Sequence, residues 1–256
     1  MKAKIIIAAH KPYKMPADSL YLPLHVGKKG KEEIGFAGDD TGDNISEKNP
    51  RYCELTGIYW AIKNLDADYL GLAHYRRHFS LKPQKDKFKA VLSGKELEKL
   101  LETTDVVLPK KQNYYIENLY DHYLHTHKEE HLLALREVLS ERSPEYLDEF
   151  ERLKKRTSAH MFNMFIMKRE LLEAYTDWLF DILFELEKRM DFSKMSAFEE
   201  RMMGRLSELM LDMWINKNNI SYKEIPCIYM EKINLAAKVS GFLKAKFFGK
   251  SYDKSF

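Results

Sequence analysis

The chain opens on Ile5-Ile6-Ile7-Ala8-Ala9, a β-branched and uninterrupted apolar run that stops at His10, Lys11 and Pro12. Such a run, bounded by a polar turn, suits a strand buried on both faces and predicts the first strand of an α/β sheet. From His10 to Asn49 the periodicity is lost among Gly, Asp, Lys and Pro. A segment of that length predicts a functional loop over a cleft. Asn49-Pro50 then offers an N-cap and a proline at the first helical position, and Leu55, Ile58, Tyr59 and Ile62 recur with helical spacing. A helix from about Arg51 to Asn64 follows. Asp68 to Ala73 reads as a second strand running into His74-Tyr75-Arg76-Arg77-His78. Strand, helix and strand in this order are the signature of a parallel sheet.

Farther on, Ser93 to Glu102 is patterned as an amphipathic helix and Asp105 to Leu108 as a short third strand closed by Pro109. Helical stretches at Glu117 to His127, Glu129 to Arg142 and Glu145 to Lys155, broken at Ser143-Pro144, predict a helical insertion over about 114–156. His160 to Met167 is the best later strand. Leu171, Tyr175, Trp178, Leu179, Ile182, Leu183 and Leu186 then trace a long helix, and a second covers about Phe198 to Asn216. Ser221 to Tyr229 is placed at the sheet edge. Residues 1–230 thus form one domain with a helical C-terminal part, and no internal repeat is visible. The remaining 231–256 are a basic tail in which Lys232, Lys238, Lys244, Lys246 and Lys250 interleave with Ile233, Val239, Phe242, Leu243, Phe247 and Phe248. That pattern suits either peripheral contact with an anionic membrane or an ordinary surface helix.

Composition narrows the partners. At 256 residues, 45% hydrophobic and 32% charged, the chain is globular rather than disordered. Its formal charge of +3, with both signs mixed, argues against nucleic acid as a partner and makes any phosphate binding local. Cys53 and Cys227 stand far apart without metal-like spacing, as in a reducing compartment. The first apolar run is too short for a signal peptide core, and no later run reaches about 18 apolar residues, so the expected location is cytoplasmic.

The candidate chemistry sits at strand ends, where open α/β sheets collect ligands. Arg76 and Arg77 could grip a diphosphate and offset charge on a departing nucleotide, with His74 beside them; a solvated strand end paired to the acidic loop is the plain alternative. Gly38-Asp39-Asp40-Thr41-Gly42-Asp43-Asn44-Ile45-Ser46 could bind sugar hydroxyls or a divalent cation, or be only a self-capped turn. His127-Lys128-Glu129-Glu130-His131 has the H-x-x-E-H spacing of inverted zinc peptidases, in a region that also holds His122 and His125, but it lacks a clear third ligand and fits a hydrated helix face. No glycine-rich phosphate loop is present. The methionines of Met161 to Met167 and Met202 to Met213 fit a core.

Taken together, several blocks resemble bacterial capsular and exopolysaccharide biosynthesis proteins, a family formerly grouped as a domain of unknown function that includes galactofuranosyltransferases. They are His10-Lys11; Gly42 to Ser46 with Lys48-Asn49; Tyr52 to Thr56; Tyr59-Trp60; Gly71 to Arg77; Asp105 to Lys110; Asn163 to Met167; Trp178 to Phe180; and Arg201, Gly204 and Glu208. The resemblance runs to about Tyr229. It implies a GT-A-like, Rossmann-related, mostly parallel sheet and transfer of a sugar, galactofuranose or another hexose, from a UDP-sugar to a lipid-linked or oligosaccharide acceptor. On that reading Arg76, Arg77 and His74 stabilise the leaving group and Glu200 is the catalytic base, chosen over Asp121, His122 and Glu199. His10, Lys11, Asp43, Asn44, Ser46 and Asn163 bind the nucleotide sugar. The arginines stand in place of the usual Asp-x-Asp metal motif, so no cofactor is required, unless the Asp39 to Asp43 loop binds manganese or magnesium. A subunit that binds a nucleotide or glycan without turnover is the rival expectation.

Overall fold

A computed structural model describes residues 1–82 and 84–231. Strand β1 (Ala3–Ala9) leads to β2 (Tyr21–His25) and β3 (Ala37–Gly38), then to helices α1 (Asn49–Tyr52) and α2 (Leu55–Asn64). Strands β4 (Tyr69–His74) and β5 (Arg77–Phe79) precede α3 (Lys87–Ala90), α4 (Gly94–Leu101), β6 (Val106–Pro109) and β7 (Gln112–Asn113). Helices α5 (Leu119–Leu124), α6 (Glu129–Arg142) and α7 (Leu147–Glu151) come before β8 (Ser158–Ala159). The chain closes with β9 (Phe165–Lys168), α8 (Arg169–Arg189), α9 (Met202–Lys217), β10 (Lys223–Ile225) and β11 (Cys227–Tyr229).

The main sheet has the order β10-β6-β9-β4-β1-β2-β3, with β5 and β11 joined at the end of β4. The β1–β2, β1–β4, β2–β3 and β6–β10 pairs are parallel, whereas β9 lies antiparallel between β4 and β6. Alternation along β1 sends Ile6 and Ala8 to one face and Ile5, Ile7 and Ala9 to the other, and both faces are covered. Ile58, Leu179 and Leu211 from α2, α8 and α9 pack on the first; Leu97 and Leu100 from α4 pack on the second. Each such side chain contributes about 1.5–3 kcal/mol on burial, so the apolar strands are stable only as the middle layer of three. Ser93 caps α4 in a reciprocal box, donating its backbone N–H to Glu96 at 2.9 Å and accepting from the Glu96 N–H at 3.4 Å.

Three local expectations need correction. The loop from His10 to Asn49 contains the parallel strands β2 and β3, whose register is supplied by β1. The helix expected from Arg51 to Asn64 is broken at Cys53, which takes φ 51° and turns the chain between α1 and α2. The strand expected from His160 begins only at Phe165, because Phe162 and Asn163 take φ 74° and 53° and cannot join a ladder. The helical segment between β7 and β8 is clasped at its base, where Gln112 pairs with Ala159 and Asn113 with Ser158. Among the described residues no helix is long and apolar enough to cross a membrane. The basic tail from Lys232 to Phe256 lies outside the described residues.

Candidate functional site

Two strands end side by side at the candidate site. His74 pairs with Arg77 across a hairpin whose turn residues are Tyr75 and Arg76, and β1, the parallel neighbour of β4, ends at His10 and Lys11. Buried Tyr75 makes the floor. The His10 ring meets its ring edge-on with centroids 5.2 Å apart, and Tyr13 does so at 5.0 Å. Lys11 Nζ and the Arg76 guanidinium stand over the same ring at 5.5 and 5.1 Å. Such cation–π contacts are worth about 0.5–1 kcal/mol at exposed positions, enough to bias where the cations rest. The Arg76 guanidinium is half-exposed and meets Glu231 at 3.6 Å.

Arg77 does not join Arg76 over Tyr75. Its guanidinium lies 4.1 Å from the centroid of the Phe162 ring and 5.5 Å from that of Tyr229, whose hydroxyl accepts a hydrogen bond from it. Phe162 is fixed in turn from both ends of its peptide. Its carbonyl lies 2.6 Å from His74 Nε2, and its N–H donates to Glu208 Oε2 at 3.2 Å. Arg76 and Arg77 thus stand in separate settings, one half-exposed over Tyr75 and one against the mutually perpendicular rings of Phe162 and Tyr229.

Asn163, expected to bind the nucleotide sugar, is buried and turned inward. It donates from Nδ2 to Glu54 Oε1 at 2.8 Å and to the Gly204 carbonyl at 3.1 Å, and accepts from Ser207 Oγ at 3.0 Å. It thus ties the loop before β9 to the start of α2 and to α9. The Arg201 Nε donates to Cys53 Sγ at 3.4 Å, and Arg205 pairs with Glu208 at 3.1 Å. Gly204 permits this approach, since a Cβ there would lie 3.0 Å from Cys53 Cβ and 3.3 Å from the Tyr52 carbonyl. Burial pushes the Cys53 thiol up to about 11, so it is no ready nucleophile.

The electrostatics converge on His10. Desolvation first, then repulsion from Arg76, Lys11, Arg201 and Lys31, holds its imidazole below the ordinary value. Cations from four segments of the chain therefore share one region at the carboxyl ends of β1 and β4, and that region favours an anion. Glu200, just before Arg201, is half-buried, and among the described residues its carboxylate has no hydrogen-bond or ion-pair partner. Its neighbour Glu199 accepts from the backbone and hydroxyl of Ser196 and pairs with Lys128, which keeps it ionised down to about 2. Asp121 accepts from Asn118, and His122 lies against Glu117.

The acidic loop is occupied with its own structure. The fully buried Asp39 accepts four hydrogen bonds: Gly27 N–H (2.8 Å), Lys28 N–H (3.0 Å), Ser46 Oγ (2.5 Å) and Thr56 Oγ1 (2.6 Å). A carboxylate offers about four acceptor positions, so this one has none left for a cation. Ser46 spends its hydroxyl there and is buried. Asp43 accepts from Tyr59 at 3.3 Å and, through its carbonyl, from Asn64 at 2.8 Å. Asn44 bridges the Gly42 carbonyl and the Ser46 N–H. Gly42, at φ 56°, rests so close on Asn64 that an added Cβ would meet its Oδ1 at 1.9 Å. Asp43 and Asn44 thus sit at the end of α2 that leads into the start of β4, away from the arginines, and Asp43, Asn44 and Ser46 all make hydrogen bonds that build the loop itself. His127 and His131 are also inward-facing, with His131 Nδ1 at 3.1 Å from Tyr123 OH and His127 Nδ1 at 2.8 Å from Thr126 Oγ1.

Sequence reasoning named Arg201 only within the family resemblance, and did not name Arg205, Phe162 or Tyr229 as parts of this region. A signal for the first two was present: Arg201, Arg205, Glu208 and Asp212 recur every three or four residues through an otherwise apolar helix, one polar face on a segment otherwise fit for a core. Phe162 and Tyr229 gave no signal, because only the folded chain brings them to Arg77.

Among solved structures, the chain is similar to the apo structure of WbbM, described as a bifunctional glycosyltransferase, at 31% identity and a TM-score of 0.82. The likeness covers 91% of this chain and 46% of that one, so the chain spans about half the length of the structure it matches. The sheet described above is the GT-A-like architecture shared with that neighbour. A comparison with curated proteins found no match. The model of a family described as a domain of unknown function, DUF4422, matches residues 4–219, from β1 through α9, and the chain belongs to that family.

Proposed function

We propose that this chain is a glycosyltransferase that moves a hexose, galactofuranose among the candidates, from a UDP-sugar to a lipid-linked or oligosaccharide acceptor in capsule or exopolysaccharide synthesis. The observation that carries the reading is the convergence of Arg76, Lys11, Lys31 and Arg201 on His10 at the carboxyl ends of β1 and β4. The likeness to a bifunctional glycosyltransferase supports it. In this scheme the diphosphate lies over Tyr75 and displaces Glu231 from Arg76. That exposed ion pair contributes only about 0–1 kcal/mol, so its loss is readily offset by a doubly charged ligand.

The chemistry asks the protein to stabilise negative charge on the departing nucleotide and to take a proton from the acceptor hydroxyl. Arg76, Lys11 and Arg201 do the first, and Arg77, braced between Phe162 and Tyr229, holds a fixed charge on the far side of the hairpin. Glu200 is the base, being the carboxylate beside Arg201 that no other side chain engages among the described residues. Asn163 and His74 act through position rather than contact. The tail beginning at Lys232 would bring the enzyme to an anionic membrane where a lipid-linked acceptor resides.

A panel of nucleotide sugars screened for thermal stabilisation tests the reading, followed by release of free nucleotide with the stabilising donor. A ligand at about 100 times its Kd adds about 2.7 kcal/mol to the folded state, a readily seen shift. The expected result is stabilisation by UDP-sugars and slow release of UDP, both lost in Arg76→Ala. Stabilisation without release or transfer to any acceptor would instead identify a nucleotide-binding subunit.

A further inference from the structure

Outside the cationic region, Glu117, His122 and His125 bring one ligand atom each to within 4.8 Å of one another at the start of the helical segment. The geometry points to a binding site for a divalent transition cation of the zinc class, formed by Glu117, His122 and His125. His122 and His125 are three residues apart at the end of α5, so their rings fall on one helical face. Glu117 precedes the helix, whose first turn is capped by Asn118 accepting from the Asp121 N–H at 2.8 Å. The carboxylate straddles the two rings, with Oε1 at 2.6 Å from His122 Nδ1 and Oε2 at 3.3 Å from His125 Nδ1.

Two properties separate this cluster from a chance meeting of surface residues. The Glu117 carboxylate is 3% exposed, and among the described residues its charge partners are two imidazoles, which carry a full positive charge only when protonated, rather than a lysine or arginine. A buried carboxylate needs a positive partner, and a bound dication supplies one. Spacing is the second. Ligands about 2.0–2.1 Å from a tetrahedral zinc stand roughly 3.3 Å from each other, and the pair of Glu117 Oε2 and His125 Nδ1 already has that separation.

The surroundings complete the case. The His122 ring lies on Tyr114 with centroids 3.7 Å apart, a contact that orients it. Glu117 and His125 line an open pocket of about 640 Å³ together with Tyr115, Ile116 and Asp121. An ion would enter through that pocket, and its fourth ligand would be Asp121 or water. Two imidazoles and a carboxylate suit zinc or cobalt over magnesium or calcium, which prefer oxygen. The H-x-x-E-H run that first suggested zinc is not this site, since His127 and His131 face Tyr123 and Thr126.

Equilibrium dialysis of the full chain against zinc, with metal counted per chain, tests the site independently of any glycosyl transfer. The expected result is one zinc per wild-type chain, a tetrahedral cobalt(II) absorption when cobalt replaces zinc, and binding weakened at least ~100-fold in Glu117→Gln and His125→Ala. Circular dichroism establishes that each variant is folded. Should either unfold, histidine ring resonances of the wild type decide: His122 and His125 should shift on adding zinc while His160 stays unchanged. Failure of the wild type to bind zinc, binding undiminished in both folded variants, or zinc shifts centred on His127 and His131 would each overturn the assignment.

Discussion

His74 Nε2 lies 2.6 Å from the carbonyl oxygen of Phe162, joining the end of β4 to a residue held at φ 74°. A left-handed backbone is costly for an aromatic residue, by about 1–3 kcal/mol, and persists when its surroundings hold it. Here the imidazole takes the carbonyl and Glu208 takes the N–H, so the ring of Phe162 is presented to Arg77. His74→Ala should therefore act on turnover through Arg77. In a double-mutant cycle with Arg77→Ala, the two losses should overlap by about 1–2 kcal/mol, as expected for residues in one network. Strictly additive losses in transfer rate would refute the connection.

Arg76 and Arg77 should answer differently to lysine. Arg76 is half-exposed and, on the proposed function, serves as a charge beside the anion, so Arg76→Ala should lower turnover by roughly 100-fold while Arg76→Lys recovers most of it. Arg77 depends on a flat guanidinium laid against the Phe162 ring and hydrogen-bonded to Tyr229, so Arg77→Lys should be nearly as impaired as Arg77→Ala. Steady-state transfer rates for the four variants decide. A folded Arg76→Ala, Arg77→Ala double variant with near-normal transfer would end the proposed role of the pair.

Donor binding should strengthen as pH falls through the ordinary histidine range. In the free protein, desolvation and then the charges of Arg76, Lys11, Arg201 and Lys31 depress the His10 pKa. A bound diphosphate offsets those charges and raises it, so binding takes up a proton. The phosphates of a nucleotide sugar stay ionised throughout this range, which leaves the histidine as the titrating group. Calorimetry in buffers of different ionisation enthalpy should register proton uptake in the wild type and much less in His10→Asn. Proton release in the wild type would contradict the placement of the diphosphate.

Part of the acid lability should trace to His78, one residue past the arginines, and part to the buried His127, which burial lowers further, to about 3. The His78 ring is fully buried, and desolvation with a smaller push from His74 lowers its pKa from 6.5 to about 4. A histidine depressed in the folded state stabilises the fold fully above its unfolded pKa, and that contribution is lost as pH falls from about 6.5 toward about 4. The total is about 3 kcal/mol, taking about 1.4 kcal/mol for each tenfold change in proton affinity. Urea midpoints measured across this window should fall steeply for the wild type and more gently for His78→Phe. Parallel slopes would assign the acid sensitivity elsewhere.

How much of this could be read from the residues follows from the range of the forces involved. Strands β1, β4 and β6 and helices α4, α6, α8 and α9 announce themselves because burial imposes a local period on each. Strand β2 does not: Pro23 interrupts it and its register belongs to β1. The break at Cys53 is equally silent, since helical spacing continues from Tyr52 through Leu55 and Ile58 across a turn against which Gly204 of α9 packs closely. Asp39, Asp43, Asn44 and Ser46 could not be told apart from loop-building residues by their type, because the groups that suit a sugar or cation also suit a loop that must satisfy its own backbone. The hairpin at Arg76 and Arg77 was legible as a strand end carrying adjacent cations, but its division into two settings depends on Phe162 and Tyr229, far away in the chain.

The two-stranded clasp of β7 and β8 has a bearing on how the helical segment is kept in place. By pairing Gln112 with Ala159 and Asn113 with Ser158, it holds both ends of the segment together. Docking of α6 and α7 onto α8 and α9 then becomes an encounter between tethered partners, at an effective concentration set by the tether rather than by the whole chain. Loops within the segment can consequently differ in length with little loss of stability, because closure entropy grows only as the logarithm of loop length. The part of the molecule holding the open pocket is thereby free to vary while the arginine hairpin on the central sheet stays where it is.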